Sequence, residues 1–130
     1  MKLGSLDPTL LERPDDGTSV SNRAKSLYDR SLTDLTPGEL AFCLRQSIAV
    51  PHVARLALTL VTNAPFREAE YYDGDLLVSL LRAAELGALD PMLLRELRDV
   101  CSEVLADAEI IADTVAPAAV EFVKRYDGAM

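Results

Sequence analysis

Apolar residues recur along most of the chain at intervals of three and four, the spacing that places side chains on one face of an α-helix. Clear stripes of this kind begin at Leu40, Val53, Leu76 and Leu94. Alternation with a period of two, which would indicate strands, never extends beyond a few residues. The pattern therefore predicts an all-α protein, a compact bundle of about five to six helices with short connections.

Capping residues divide this pattern into helices. Residues 36–39 (TPGE) form a capping-box sequence with Pro at the first helical position, which predicts a helix beginning at Pro37. Asp73 and Asp90 are the predicted N-caps of two later helices, and Gly87 is the predicted end of the first of them. Three further helices are predicted over residues 19–29, 51–62 and 118–126. The helix over 51–62 is apolar around much of its circumference, so we expect it to be central in the bundle.

The chain of 130 residues has the length of one ordinary domain. Residues 1–18 contain Pro, Gly and an acidic pair but few periodic apolar positions, so we expect a flexible N-terminal tail followed by a single helical domain over 19–130. The first twelve residues lack the apolar run of a signal peptide, and the apolar region 49–61 is interrupted and too short to span a bilayer. These features predict a cytoplasmic protein.

Charge restricts the partners that the chain is expected to bind. Asp and Glu number 21 against 13 Lys and Arg, which gives a net charge of −8 and a pI near 4.5. A chain this acidic is repelled by nucleic acid and by anionic membrane surfaces, so neither is an expected partner. A basic protein fits this charge better.

Residues suited to catalysis or metal binding are scarce. His52 is the sole histidine and has no cysteine pair beside it, so we expect a structural or surface role and no metal site. Cys43 and Cys101 each lie on an apolar helix side and are expected to be buried free thiols. Glu68 and Glu70 could act as paired carboxylates, but a catalytic partner set is missing. We therefore expect no catalytic residues, no cofactor and no enzymatic activity.

Two acidic stretches are the candidate partner-binding regions. The first is the connection before the fourth helix, which combines carboxylates with a tyrosine pair able to anchor an interface. The second is a helical stripe of Glu96, Asp99, Glu103 and Asp107, spaced at three, four and four, and the run from Asp99 to Glu121 contains no Lys or Arg. The tyrosines could instead pack on the core, and the stripe could be a solvated face. The candidate residues are Glu68, Glu70, Tyr71, Tyr72, Asp73 and Asp75 in the connection, and Asp99, Glu103 and Asp107 in the stripe.

Three segments in the middle of the chain form a recognisable set: residues 32–40 (LTDLTPGEL), 45–51 (RQSIAVP) and 70–77 (EYYDGDLL). In their order and spacing, over about residues 26–105, they resemble the immunity proteins of bacterial contact-dependent growth inhibition (CDI) systems. The chain departs from the family pattern at Ala49-Val50-Pro51, where Gly-Leu-Pro is expected, and at Asp73, where Pro is common.

The resemblance implies a cytoplasmic protein that binds the C-terminal toxin domain of its own system's exported effector. Such toxins are often nucleases with basic surfaces, which suits an acidic inhibitor. We expect a monomer in a one-to-one complex, although a homodimer is compatible with the sequence. The alternative hypothesis is a non-catalytic structural or adaptor subunit that self-associates through an apolar helix face.

Overall fold

The computed structural model describes residues 2–7, 19–64, 74–106 and 115–128. In these ranges the chain is helical, and its β-structure is limited to an isolated antiparallel bridge between Lys2 and Ser31. The predicted all-α class is confirmed. The α-helices are α1 Leu3–Leu6, α2 Ser19–Ser26, α3 Pro37–Arg45, α4 Val50–Asn63, α5 Asp75–Glu85, α6 Pro91–Ala106 and α7 Val115–Gly128, with a 3₁₀ turn over Leu32–Asp34.

Four helices pack side by side around the core. Helix α4 packs against α5 and α6, and α7 also packs against α5 and α6, so these helices form a ring in the order α4, α5, α7, α6. Helix α3 lies across one edge of this ring, against α4 and α5. Each helix turns its apolar stripe inward, because that face loses contact with water only inside the ring. The largest fully buried apolar side chains are Leu3, Ile48, Val53, Val61, Leu76, Leu77, Leu80, Leu93 and Leu97.

Helix α5 is enclosed on several sides. Helices α3, α4 and α7 all pack against it, and seven of its residues from Asp75 to Ala83 are buried. Helix α4, which was expected to be central, packs against α3, α5 and α6. Its many apolar residues occupy one side, and its other side carries the exposed residues His52, Arg55 and Thr59.

The start of α3 confirms the predicted capping box. The Glu39 backbone N–H donates to the Thr36 hydroxyl at 3.1 Å, and the Glu39 carboxylate accepts from the Thr36 backbone N–H at 2.9 Å. The other oxygen of this carboxylate pairs with the Arg30 guanidinium at 2.6 Å. Glu39 therefore both caps α3 and ties it to the turn that follows α2.

The connection from α3 to α4 places two non-glycine residues in the left-handed region. Ser47 (φ 57°) follows the end of α3, and Ala49 (φ 45°) precedes α4. Between them Ile48 is fully buried, and its N–H donates to the Cys43 carbonyl at 2.9 Å as in a Schellman motif. The burial of Ile48 and this hydrogen bond stabilise the strained backbone at Ser47 and Ala49.

The boundaries of α5 and α6 agree with the sequence in part. Asp90 caps α6 as predicted, since its carboxylate accepts from the Leu93 N–H at 2.9 Å. Gly87 (φ 76°) follows the end of α5, also as predicted. The predicted cap Asp73 is wrong, because the N-cap position of α5 is Gly74 (φ 88°). Asp73 itself lies outside the described residues.

The beginning of the chain differs from the expected tail. Leu3 is fully buried, and the N–H groups of Leu3 and Gly4 donate to carbonyls in the turn after α2, at 2.8 Å each. Residues 2–7, where a flexible tail was expected, are therefore docked on the bundle, because Leu3 enters the core, Leu6 packs against it and the two N–H groups have carbonyl acceptors. Residues 8–18 lie outside the described part of the chain.

We predict that Ser47→Gly and Ala49→Gly will each stabilise the protein. The left-handed conformation costs a non-glycine residue about 1–2 kcal/mol, and glycine removes this strain. Glycine also gives the unfolded chain more conformational entropy, which offsets about 0.5–1 kcal/mol of the gain. The expected net gain is roughly 0.5–1 kcal/mol in the free energy of unfolding, measured by urea denaturation. Ala84→Gly in helix α5 is the control and should destabilise by about 1 kcal/mol. A loss of stability in both connection variants would contradict the assigned backbone.

We predict that Gly4→Ala will loosen the docked N-terminal residues. A Cβ at this position would lie 2.5 Å from ring atoms of Tyr28, so the ring has to move. Overpacking of this kind costs about 1–3 kcal/mol, which urea denaturation should detect. Ser5→Ala, on the exposed side of α1, should stay within about 0.5 kcal/mol of the wild type. Equal stability of the two variants would show that α1 does not pack on Tyr28.

Candidate functional site

The two acidic stretches predicted from the sequence have different outcomes in the structure. Of the connection before α5, residues Glu68, Glu70, Tyr71, Tyr72 and Asp73 lie outside the described part of the chain. Of the helical stripe, Asp107 also lies outside it. Asp75, Asp99 and Glu103 are described.

Asp75 is not at the surface. It lies in the first turn of α5 with 2% of its surface exposed, so the expectation that it belongs to an exposed loop is wrong. A carboxylate in a first turn is favoured by the helix dipole. The Ser79 hydroxyl, one turn further along, donates to the Asp75 backbone carbonyl at 2.9 Å. Asp75 therefore belongs to the buried start of α5 and not to the accessible surface.

Asp99 and Glu103 lie together at the surface, in a groove between α4 and α6. We call this the acidic groove. Both carboxylate residues are exposed, as is Glu96 one turn earlier on the same face of α6. The groove has a volume of about 340 Å³. It is lined by Arg55, Leu58, Thr59, Thr62 and Asn63 of α4 and by Glu96, Asp99, Val100 and Glu103 of α6.

The charges lining the acidic groove do not cancel. Arg55 pairs with Glu96 at 3.6 Å, with each side chain about half exposed. Arg98 is only 4.0 Å from Asp99 and is engaged on its other side by Asp127 of α7. Glu103 has no basic partner among the described residues. One Arg against three carboxylates leaves the lining with a net charge of −2.

The Arg98 contact also joins α6 to α7. Two guanidinium nitrogens of Arg98 donate to the two carboxylate oxygens of Asp127, at 3.3 Å each. This hydrogen-bonded pairing raises the pKa of Arg98. A two-point contact restricts orientation as well as distance, so it favours one orientation of α6 against α7.

The contribution of α4 to the groove was not predicted from the sequence, which indicated only the acidic residues of α6. Polar residues on α4 recur at spacings of four and three, at Arg55, Thr59 and Thr62. The hydroxyls of the two threonines donate to carbonyls of their own helix, at 3.1 Å and 2.7 Å, which leaves their oxygens able to accept from a ligand. This spacing indicates a polar face on α4, but the sequence did not show that α6 would lie beside that face.

The groove is chemically suited to binding basic side chains. Carboxylates and hydroxyls are acceptors for Lys and Arg, and the charge-assisted bonds they form are stronger than neutral ones. His52 is exposed at the start of α4 and does not line the groove. In the described ranges, no group of three or more His, Cys, Asp or Glu residues is arranged to hold a metal ion.

Cys43 and Cys101 are buried and form no disulfide, as predicted. Burial raises the pKa of Cys101 to about 12 because a thiolate loses its hydration in the core. At neutral pH this thiol is therefore almost wholly protonated. A nucleophilic cysteine needs the opposite environment, open to solvent and with a lowered pKa.

Comparison with known proteins gives one match. A family model described as CDI immunity proteins matches residues 6–90. Neither the curated proteins nor the solved structures give a match. The matched range includes helices α2 to α5 and the connection that was predicted to contact a partner, while α6 and α7 follow it. Among the helices that the structure describes, none is long and apolar enough to cross a membrane.

We predict that neither thiol of the native protein will react with Ellman's reagent at pH 8. Both are shielded, and Cys101 is protonated at that pH. Unfolding in urea should release both thiols for reaction. Ala88→Cys, in the exposed turn after α5, provides a reactive control in the folded state. Stoichiometric labelling of the folded wild type would contradict the burial of these side chains.

Proposed function

Because the chain belongs to the family of CDI immunity proteins, we propose that it binds and neutralises the C-terminal toxin domain of its own system. The proposed role is protection of the producing cell in the cytoplasm, where the toxin would otherwise act. Neutralisation of this kind needs tight, specific binding and no catalysis by the inhibitor. The proposed toxin is a nuclease with a basic surface.

The acidic groove is the observation that best supports this proposal. A nuclease has to attract phosphates and therefore carries clustered Lys and Arg near its active site. The groove presents Glu96, Asp99 and Glu103 along one face of α6, with a net lining charge of −2. Complementary charge of this kind raises the association rate and disfavours acidic competitors. We propose that the groove covers the basic substrate-binding surface of the toxin.

Met92 extends the proposed contact beyond the acidic residues. It lies one turn before Glu96 on the same face of α6, and 64% of its surface is exposed. Interfaces combine apolar anchors with charged rims, and methionine adapts its shape to a partner. We propose that Met92 supplies an apolar anchor at one end of the groove.

The connection before α5 remains a second proposed contact region on sequence grounds. Its tyrosine pair, Tyr71 and Tyr72, follows the carboxylates Glu68 and Glu70 and precedes Asp73. Tyrosine offers a rigid apolar ring with a polar tip, which suits an interface. The family match covers this region, which supports a role in the shared function.

We predict that the double variant Asp99→Lys/Glu103→Lys will weaken binding to the toxin domain encoded immediately upstream. Reversing two charges in the acidic groove should raise Kd about tenfold or more at low salt, since a close charge pair contributes about 1.5 kcal/mol or more. The difference should shrink at high salt as the charges are screened. Calorimetric titration at both salt concentrations measures the effect.

Asp29→Lys/Asp34→Lys is the matched control. Both positions are exposed, lie between α2 and α3, and change the net charge by the same amount from −8. This control should bind nearly as tightly as the wild type. Equal weakening in both variants would mean that total charge matters and that the groove is not the contact. Failure of the wild type to bind the toxin domain would contradict the proposed function itself.

A further inference from the structure

A second groove lies on the opposite edge of the helical ring, between α5 and α7. We call it the apolar groove. Its volume is about 440 Å³, and its floor is formed by Leu81, Ala84, Leu94, Ala118, Phe122 and Tyr126. The rings of Phe122 and Tyr126 lie next to each other, with centroids 6.2 Å apart and ring planes tilted by 30°. A floor of this composition, open to solvent, is a surface that gains free energy when another apolar group covers it.

The rim of the apolar groove carries both signs of charge. Arg125 contacts two carboxylates, Glu85 at 3.5 Å and Glu121 at 3.0 Å, so this set has one negative charge in excess. Arg82 also lines the groove and has no acidic partner among the described residues. The rim therefore offers an unpaired cation on α5 and an excess carboxylate charge centred on α7.

An exposed leucine lies beside this groove. Leu86 follows Arg82 by four residues, which places it on the same side at the end of α5. Of its surface, 69% is exposed, more than for any other large apolar residue that the structure describes. A leucine this exposed costs hydration free energy in the monomer, and burial in an apolar site would recover it.

We propose that the apolar groove is the interface of a homodimer, with a second copy of this chain as its occupant. A two-fold axis makes any contact reciprocal, so each Leu86 can enter the groove of the other copy. The same axis brings Arg82 of each copy toward the carboxylate set at Glu121 of the other. This surface is complementary to itself, because Leu86 matches the apolar groove and Arg82 matches the carboxylate set at Glu121.

The apolar groove is separate from the acidic groove, so this dimer does not occupy the groove proposed to bind the toxin. The acidic groove lies at the edge between α4 and α6, and the apolar groove lies at the edge between α5 and α7, across the ring. Both surfaces can therefore be covered at once, giving a complex of two chains with two toxin domains. The contact is small beside the roughly 800 Å² per partner of a stable interface, so we expect a weak, concentration-dependent dimer.

Sedimentation equilibrium of the purified full chain tests the proposal. The wild type should show a monomer–dimer equilibrium with Kd on the order of 10–100 µM, the range of weak interfaces. Leu86→Ser should raise that Kd at least about tenfold, through loss of the buried side chain. Met92→Ser removes the other strongly exposed apolar side chain, on α6, and should leave dimerisation unchanged.

Charge exchange tests the assigned orientation. Arg82→Glu and Glu121→Arg should each weaken self-association, because like charges then face each other twice across the axis. An equimolar mixture of the two variants should recover a mixed dimer, since both contacts regain opposite charges. Circular dichroism of each variant verifies that the fold is retained.

A wild type that stays monomeric to about 0.5 mM would overturn the proposal. Equal weakening by Leu86→Ser and Met92→Ser would overturn the assigned surface. So would failure of the Arg82→Glu and Glu121→Arg variants to form a mixed dimer. Toxin binding is measured separately, so failure of the dimer leaves the proposed function standing, and failure of toxin binding leaves the dimer standing.

Discussion

The burial of helix α5 is the constraint on which the rest of the fold depends. Its leucines can leave water only if helices cover several of its sides, and α3, α4 and α7 do so. Helix α6 then completes the ring by packing between α4 and α7. That order of packing decides which faces remain outside. It leaves the acidic face of α6 beside the polar side of α4 and places the apolar groove at the opposite edge of the ring, between α5 and α7.

Local signals in the sequence predicted most helix boundaries. The capping box at Thr36 and Glu39 and the cap at Asp90 are interactions between residues three apart, so the sequence alone contains both partners. The family resemblance also drew attention to position 49, where Gly was expected and Ala is present. The structure supplies the reason, since Ala49 has the positive φ that glycine adopts without strain.

Features that depend on distant residues were not predictable in this way. The docking of Leu3 requires carbonyls that lie more than twenty residues away, in the turn after α2. Asp75 is acidic and follows a Gly, which indicates an exposed turn, yet packing around α5 buries it. The acidic stripe was visible on α6, but the groove exists only because α4 lies beside it. The apolar circumference of α4 likewise did not show which helices would cover it, since helix neighbours are set by the whole bundle.

The central claim is that the toxin domain covers the edge between α4 and α6. Mapping backbone amide chemical shifts of the labelled protein, with and without unlabelled toxin domain, tests it most directly. The account predicts that the largest changes fall on the outer faces of these two helices, around Thr59, Asp99 and Glu103. Changes confined to the edge between α5 and α7, with the acidic groove unaffected, would contradict it.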